Sequence, residues 1–213
     1  MRELLLKYGL VVLSTVMTAF GITLIVLAEL GVDPISTFLL GGVNYFPIRF
    51  GTGSQIFSCA FLLLNFLIDR KYFGIGSLLF SIGCGYCINQ FLAIDLLNVF
   101  FINSVPNIVI VLVGIMFYGI GTGVFLYTKT GTGPLEGLMF FFSKKFKVSI
   151  KVTRMSIDGF LVLTGIGLGG IYGLGTILCI CFTGPVIELS LKTLNNFVEL
   201  KRKKLDGLIV QKG

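Results

Sequence analysis

Residues Tyr8 to Ala28 run for 21 positions without a charged side chain. A helix of that length rises about 30 Å, the thickness of a bilayer's hydrocarbon core. A signal-peptide core is shorter and ends at a small-residue cleavage site. The "VLAEL" at 26 to 30 offers no such site, so the run predicts a retained membrane span. Five more spans are expected at about 53–69, 74–97, 107–128, 153–170 and 173–194. With 55% of residues hydrophobic and 13% charged, too little polar surface remains to solvate a compact soluble domain. The expectation is a single all-α, polytopic membrane domain over residues 1–213, in contact with the lipid bilayer.

The chain repeats itself. Gly21, Gly31 and Pro34 recur 100 residues later as Gly121, Gly131 and Pro134, and "GIGSLL" from Gly74 recurs 99 residues later as "GLGTIL" from Gly173. Two copies of one unit follow, repeat one over about 1–100 and repeat two over about 101–198, with a basic tail over 199–213. Each copy holds a long span, a short element opened by proline, and two further spans. Three spans per copy is an odd number, so the second copy enters the membrane from the opposite side: six transmembrane helices form two inverted three-helix repeats.

The short elements decide the count of crossings. From Pro134 to Ser143 a helix covers only about 15 Å before Lys144 and Lys145 intervene. It is therefore a re-entrant or interfacial helix, and the two alternatives stay open. With six spans and both termini cytoplasmic, Arg49 is the one basic residue of 17 that falls outside. The formal charge of +7 thus reflects topology, and no nucleic-acid partner is expected. Proline suits the first helical position because its missing N–H would be orphaned there anyway. The start of such a helix exposes N–H groups and partial positive charge. Ser36 and Thr37 in copy one and Glu136 in copy two lie in that first turn. They mark either a plain helix start or an element that touches a ligand.

Polar side chains inside spans are the next pointer, because hydrocarbon penalises them unless they are paired or wetted. Glu136, Arg154, Asp158 and Glu188 are expected to line an inner vestibule. Inversion carries Glu188 onto Asn89, 99 residues earlier, and sets Asn89 with Asp33, Thr37 and Gln55 in an outer, nearly neutral one. Arg154 and Asp158 stand four apart on one helical face. They form either a salt bridge that fixes helix depth or a gate. One arginine cannot neutralise two carboxylates, which leaves Glu188 as the expected proton or cation coupling group. The competing reading of Glu188 is a carboxylate that snorkels to the inner interface.

Glycines four apart, such as Gly119 with Gly123 and Gly165 with Gly169, predict close helix packing. Gly169 is expected at such a contact. Histidine is absent, and Cys179 and Cys181 lie about 200° apart on a helix, unable to share a site with Cys84 and Cys87. No metal and no cofactor is expected, and the cysteines read as small apolar packing groups. "KRKK" at 201–204 is a topology anchor or a contact for anionic lipid.

The stretch from Gly131 to Glu188, "GTGPLEGLMFFFSKKFKVSIKVTRMSIDGFLVLTGIGLGGIYGLGTILCICFTGPVIE", resembles the hallmark region of the YczE/YyaS/YitT family of bacterial integral membrane proteins. Gly131, Gly133 and Pro134 match its G-x-G-P loop, Arg154 and Asp158 its charged pair, Gly173 and Gly175 its G-x-G-T hairpin, and Gly184 with Pro185 its terminal G-P. The first half is looser, with Asp33 where the second glycine of the loop would stand. The resemblance implies a bacterial cytoplasmic-membrane protein and no particular chemistry. Construction from inverted repeats points to a small-solute permease or channel-like carrier. The rival is a non-transporting membrane partner or scaffold for another envelope or biosynthetic process. An enzyme is disfavoured by the absence of a nucleophile motif or metal cluster. The solute stays unnamed, and a homo-oligomer is left open.

Overall fold

The computed structural model describes residues 2–43, 48–94 and 105–210, with side chains over 3–42, 48–94 and 105–197. The described residues form eight α-helices and no strand: α1 (Arg2–Leu27), α2 (Pro34–Val43), α3 (Phe50–Ile68), α4 (Ile75–Leu92), α5 (Asn107–Tyr127), α6 (Pro134–Phe146), α7 (Ile150–Gly167) and α8 (Leu174–Val210). Segments of α1, α3, α4, α5 and α8 are long and apolar enough to cross a membrane. Their outer faces carry Leu5, Leu67 and Ile177 at 71%, 71% and 61% exposure, the surface of a protein that lives in lipid rather than water. The expected span at 153–170 corresponds to α7, whose Lys151, Arg154 and Asp158 keep it out of that apolar set.

The helix starts follow from local chemistry. Pro34 and Pro134 each open a short helix, of 10 and 13 residues. Ser36 N–H donates to the Asp33 carboxylate at 3.3 Å and Thr37 N–H to the Asp33 carbonyl at 2.8 Å, so Asp33 caps α2. The G-x-G-S/T motifs work alike in the two halves. Gly74 N–H donates to Ser77 Oγ at 3.3 Å, and Gly173 N–H to Thr176 Oγ1 at 3.2 Å. The loop residues ahead of α2 and α6 are bent in the same way, with positive φ at Glu29 and Gly31 and again at Lys129 and Gly131. Such a bend is what the glycines supply.

The halves then interlock. Gly76 N–H donates to Thr130 O at 3.3 Å, while Gly175 N–H donates to Leu30 O at 2.7 Å. Each helix start is thus seated on the loop of the other half. Helix α1 packs on α5 and α4, α5 on α8, α2 on α7, and α6 on α3. The main apolar core joins Leu24 and Ile25 of α1, Ile88 of α4 and Ile115 of α5, with Cys84 and Cys179 buried in it. All five cysteines are free thiols.

The last expected span is found over Leu174–Phe197, and its helix continues to Val210, because nothing between Pro185 and Gly207 interrupts it. Gly169 follows the end of α7 with φ of 82°, a conformation that favours glycine. A close approach to α2 is made by Gly165, where an added Cβ would lie 2.8 Å from the Phe38 backbone. The side chains of the basic 201–204 stretch, and the end of the tail at 211–213, lie outside the described residues.

Candidate functional site

At the centre of the molecule Arg154 of α7 is completely buried. Gly184 of α8 lies against its stem, where a Cβ would stand 3.4 Å from Arg154 Cβ. The guanidinium then spreads three donors over three helices. Nε donates to Asp158 Oδ2 at 2.9 Å, Nη1 to Glu136 Oε1 at 2.6 Å, and Nη2 to the Tyr118 hydroxyl at 2.7 Å. A planar fork of this kind suits arginine and no other cation, since lysine offers a single point of charge. Asn65 of α3 donates to Pro134 O at 2.7 Å and fixes the start of α6, two residues from Glu136.

A third buried carboxylate faces the same region. Asp33, 1% exposed, accepts from the Ser36 hydroxyl as well as from its N–H. Asp33 and Glu136 line one small cavity of about 40 Å³, together with Tyr118, Thr18, Ser81 and Thr122. The hydroxyls of Thr18, Ser81 and Thr122 are buried and have no hydrogen-bond partner among the described residues. The cluster holds one guanidinium against the carboxylates of Asp33, Glu136 and Asp158, an excess of acid in a medium that stabilises charge poorly.

The expected inner group is therefore divided. Arg154, Asp158 and Glu136 meet, but Glu188 pairs instead with Lys192 at 2.6 Å, at 24% side-chain exposure. It lines a separate open cavity of about 670 Å³ with Lys71, Lys129 and Lys144. One turn beyond Gly184, Glu188 finds its partner along its own helix. The expected outer group divides as well. Asp33 shares the cavity with Glu136, and Thr37 is buried with its hydroxyl 3.2 Å from the Asp33 carbonyl. Gln55 and Asn89 tie α3 to α4: Gln55 Nε2 donates to Ile82 O, and Gly51 N–H to Asn89 Oδ1, both at 2.9 Å.

Tyr118, Thr18, Ser81 and Thr122 were not legible as site residues. The available signal is the repeat interval. Thr18 and Tyr118 are 100 apart, as are Ile22 and Thr122, and all four line the cavity. Of the motif residues, Gly131 takes φ of 149°, Gly133 caps α6 ahead of Pro134, Gly173 and Gly175 abut Leu30, and Pro185 lies within α8 beside Gly184.

DUF6198, a family of unknown function, matches residues 5–192 of the chain. An uncharacterized protein of Haemophilus influenzae is 32% identical over 86% of this chain and 83% of its own. The uncharacterized membrane protein YczE of Bacillus subtilis is 26% identical, covering 89% of this chain and 87% of its own. The uncharacterized protein YyaS of the same organism is 24% identical, covering 86% and 92%. No solved structure matches.

Proposed function

The chain belongs to DUF6198, a family of unknown function, and with no activity to borrow from its relatives we propose that it is a small-solute permease or channel-like carrier of the cytoplasmic membrane. The observation that carries this reading is the cavity into which Asp33, ahead of α2, and Glu136, in the first turn of α6, both reach. Counting α7 as the sixth span gives two copies of three spans, inverted with respect to one another and clasped by the exchanged Gly76 to Thr130 and Gly175 to Leu30 hydrogen bonds. In that arrangement the proline-opened helices are re-entrant and begin at mid-membrane. The open cavity of Lys71, Lys129, Lys144 and Glu188 then serves as the inner vestibule, and rocking of the copies about the buried site exposes it to the two sides in turn.

Reconstitution in liposomes tests the reading. Purified protein should take up at least one solute from a panel of small inorganic ions, organic anions and organic cations, and Glu136→Gln should lower that uptake at least tenfold at equal incorporation. A scaffold without transport is the second reading, favoured by the small size of the cavity and by the three bonds that lock Arg154. Absence of uptake across the panel, by protein that remains folded, decides for the scaffold.

A further inference from the structure

The central cavity has properties that narrow what it could hold. It is small: about 40 Å³ admits a few water-sized groups and excludes an organic solute. Among apolar groups such as Ile22 and Phe80 its wall carries oxygens, the carboxylates of Asp33 and Glu136 accompanied by the hydroxyls of Thr18, Ser81 and Thr122. Those three residues are 1%, 2% and 0% exposed, and their hydroxyl oxygens have no partner among the described residues. A buried hydroxyl left without a partner costs about 1–3 kcal/mol, so three around one space point to an occupant that supplies the missing interactions.

The charge of the site sets the sign of that occupant. Arg154 directs its three donor atoms to Asp158, Glu136 and Tyr118, while the Asp33 carboxylate receives hydrogen bonds, among the described residues, from Ser36. A cation beside Asp33 and Glu136 offsets the surplus. Hard cations take oxygen ligands of this kind, both carboxylate and neutral. A divalent ion fits poorly, because magnesium holds on to several waters for which there is no room, and no group of three or more His, Cys, Asp or Glu suited to a metal ion occurs among the described residues.

We infer that the cavity between the starts of α2 and α6 binds one dehydrated sodium ion, held by the Asp33 and Glu136 carboxylates and by the Thr18, Ser81 and Thr122 hydroxyls. The inference rests on the carrier reading of this site and names its ligand. Sodium is then either the transported solute or the ion coupled to it.

The test is thermal unfolding of the purified full-length protein in detergent, with sodium chloride titrated against choline chloride at constant ionic strength. An ion that binds only the folded state raises Tm in a saturable way. The parent should show that rise, with potassium clearly less effective. Thr122→Val and Ser81→Ala remove hydroxyls that bond to no described protein group, so both should fold; each should raise the half-saturating sodium concentration about tenfold or more. Asp33→Asn should abolish the rise. A parent Tm equal in sodium and choline overturns the inference, as does equal stabilisation by potassium, or unchanged half-saturation in both hydroxyl variants. A sodium-dependent Tm without uptake into liposomes keeps the ion site and removes the carrier. Uptake without a sodium-dependent Tm removes the ion site alone.

Discussion

Arg154 is fully buried and shared among α5, α6 and α7, so its loss is felt by three helices at once. Removing one member of a buried charged group leaves the others uncompensated and costs about 3–5 kcal/mol. Arg154→Gln should therefore lower the thermal midpoint sharply in detergent, and a second change, Glu136→Gln, should recover part of the loss. Arg154→Lys should fall between them, since an ammonium cannot reproduce the fork. Glu188→Gln is the contrasting case. Its partner Lys192 is 68% exposed along the side chain, and a pair in such a setting contributes about 0–1 kcal/mol. Thermal melts of the Arg154 and Glu188 variants should differ widely. Equal losses would show that Glu188 belongs to the buried network after all.

At the level of elements, glycine decides how closely helices meet, and the positions are not equivalent. A methyl at Gly165 would meet the Phe38 backbone of α2 at 2.8 Å, whereas one at Gly159, on the same helix, would meet nothing within 4 Å. Gly165→Ala should cost about 1–3 kcal/mol by forcing α2 and α7 apart. Gly159→Ala should be neutral or stabilise by up to about 1 kcal/mol through helix propensity. Denaturation of the two variants side by side measures the difference. A Gly165→Ala protein as stable as Gly159→Ala would mean that α2 does not lie on α7.

For the whole molecule the question is orientation. The apolar outer surface sets the protein in a bilayer, and the distribution of its basic residues makes both termini and the Lys144 to Lys151 segment cytoplasmic under the six-span proposal. Lys147 occupies the left-handed turn that ends α6 and is exposed. In a background without the five native cysteines, Lys147→Cys should react with a membrane-impermeant maleimide only after the cytoplasmic side is opened. Labelling from outside intact cells would overturn the six-span arrangement.

The sequence alone determined what depends on neighbours within about four residues or on summed composition. The apolar runs required a bilayer, Pro34 and Pro134 announced the starts of α2 and α6, and a spacing of four paired Arg154 with Asp158. The interval of 100 between halves was also legible, since it needs only matching letters. Tertiary structure decided which distant groups share a space. Glu136 lies 18 residues from Arg154 and completes its coordination, while Glu188, which looked the better candidate, turns to Lys192. Asp33 and Glu136, read as belonging to opposite vestibules, line one cavity because α2 docks on α7 and α6 on α3. No local rule carries that information: it depends on which backbones can approach, and the approach is set by glycine contacts between residues as far apart as Leu30 and Gly173.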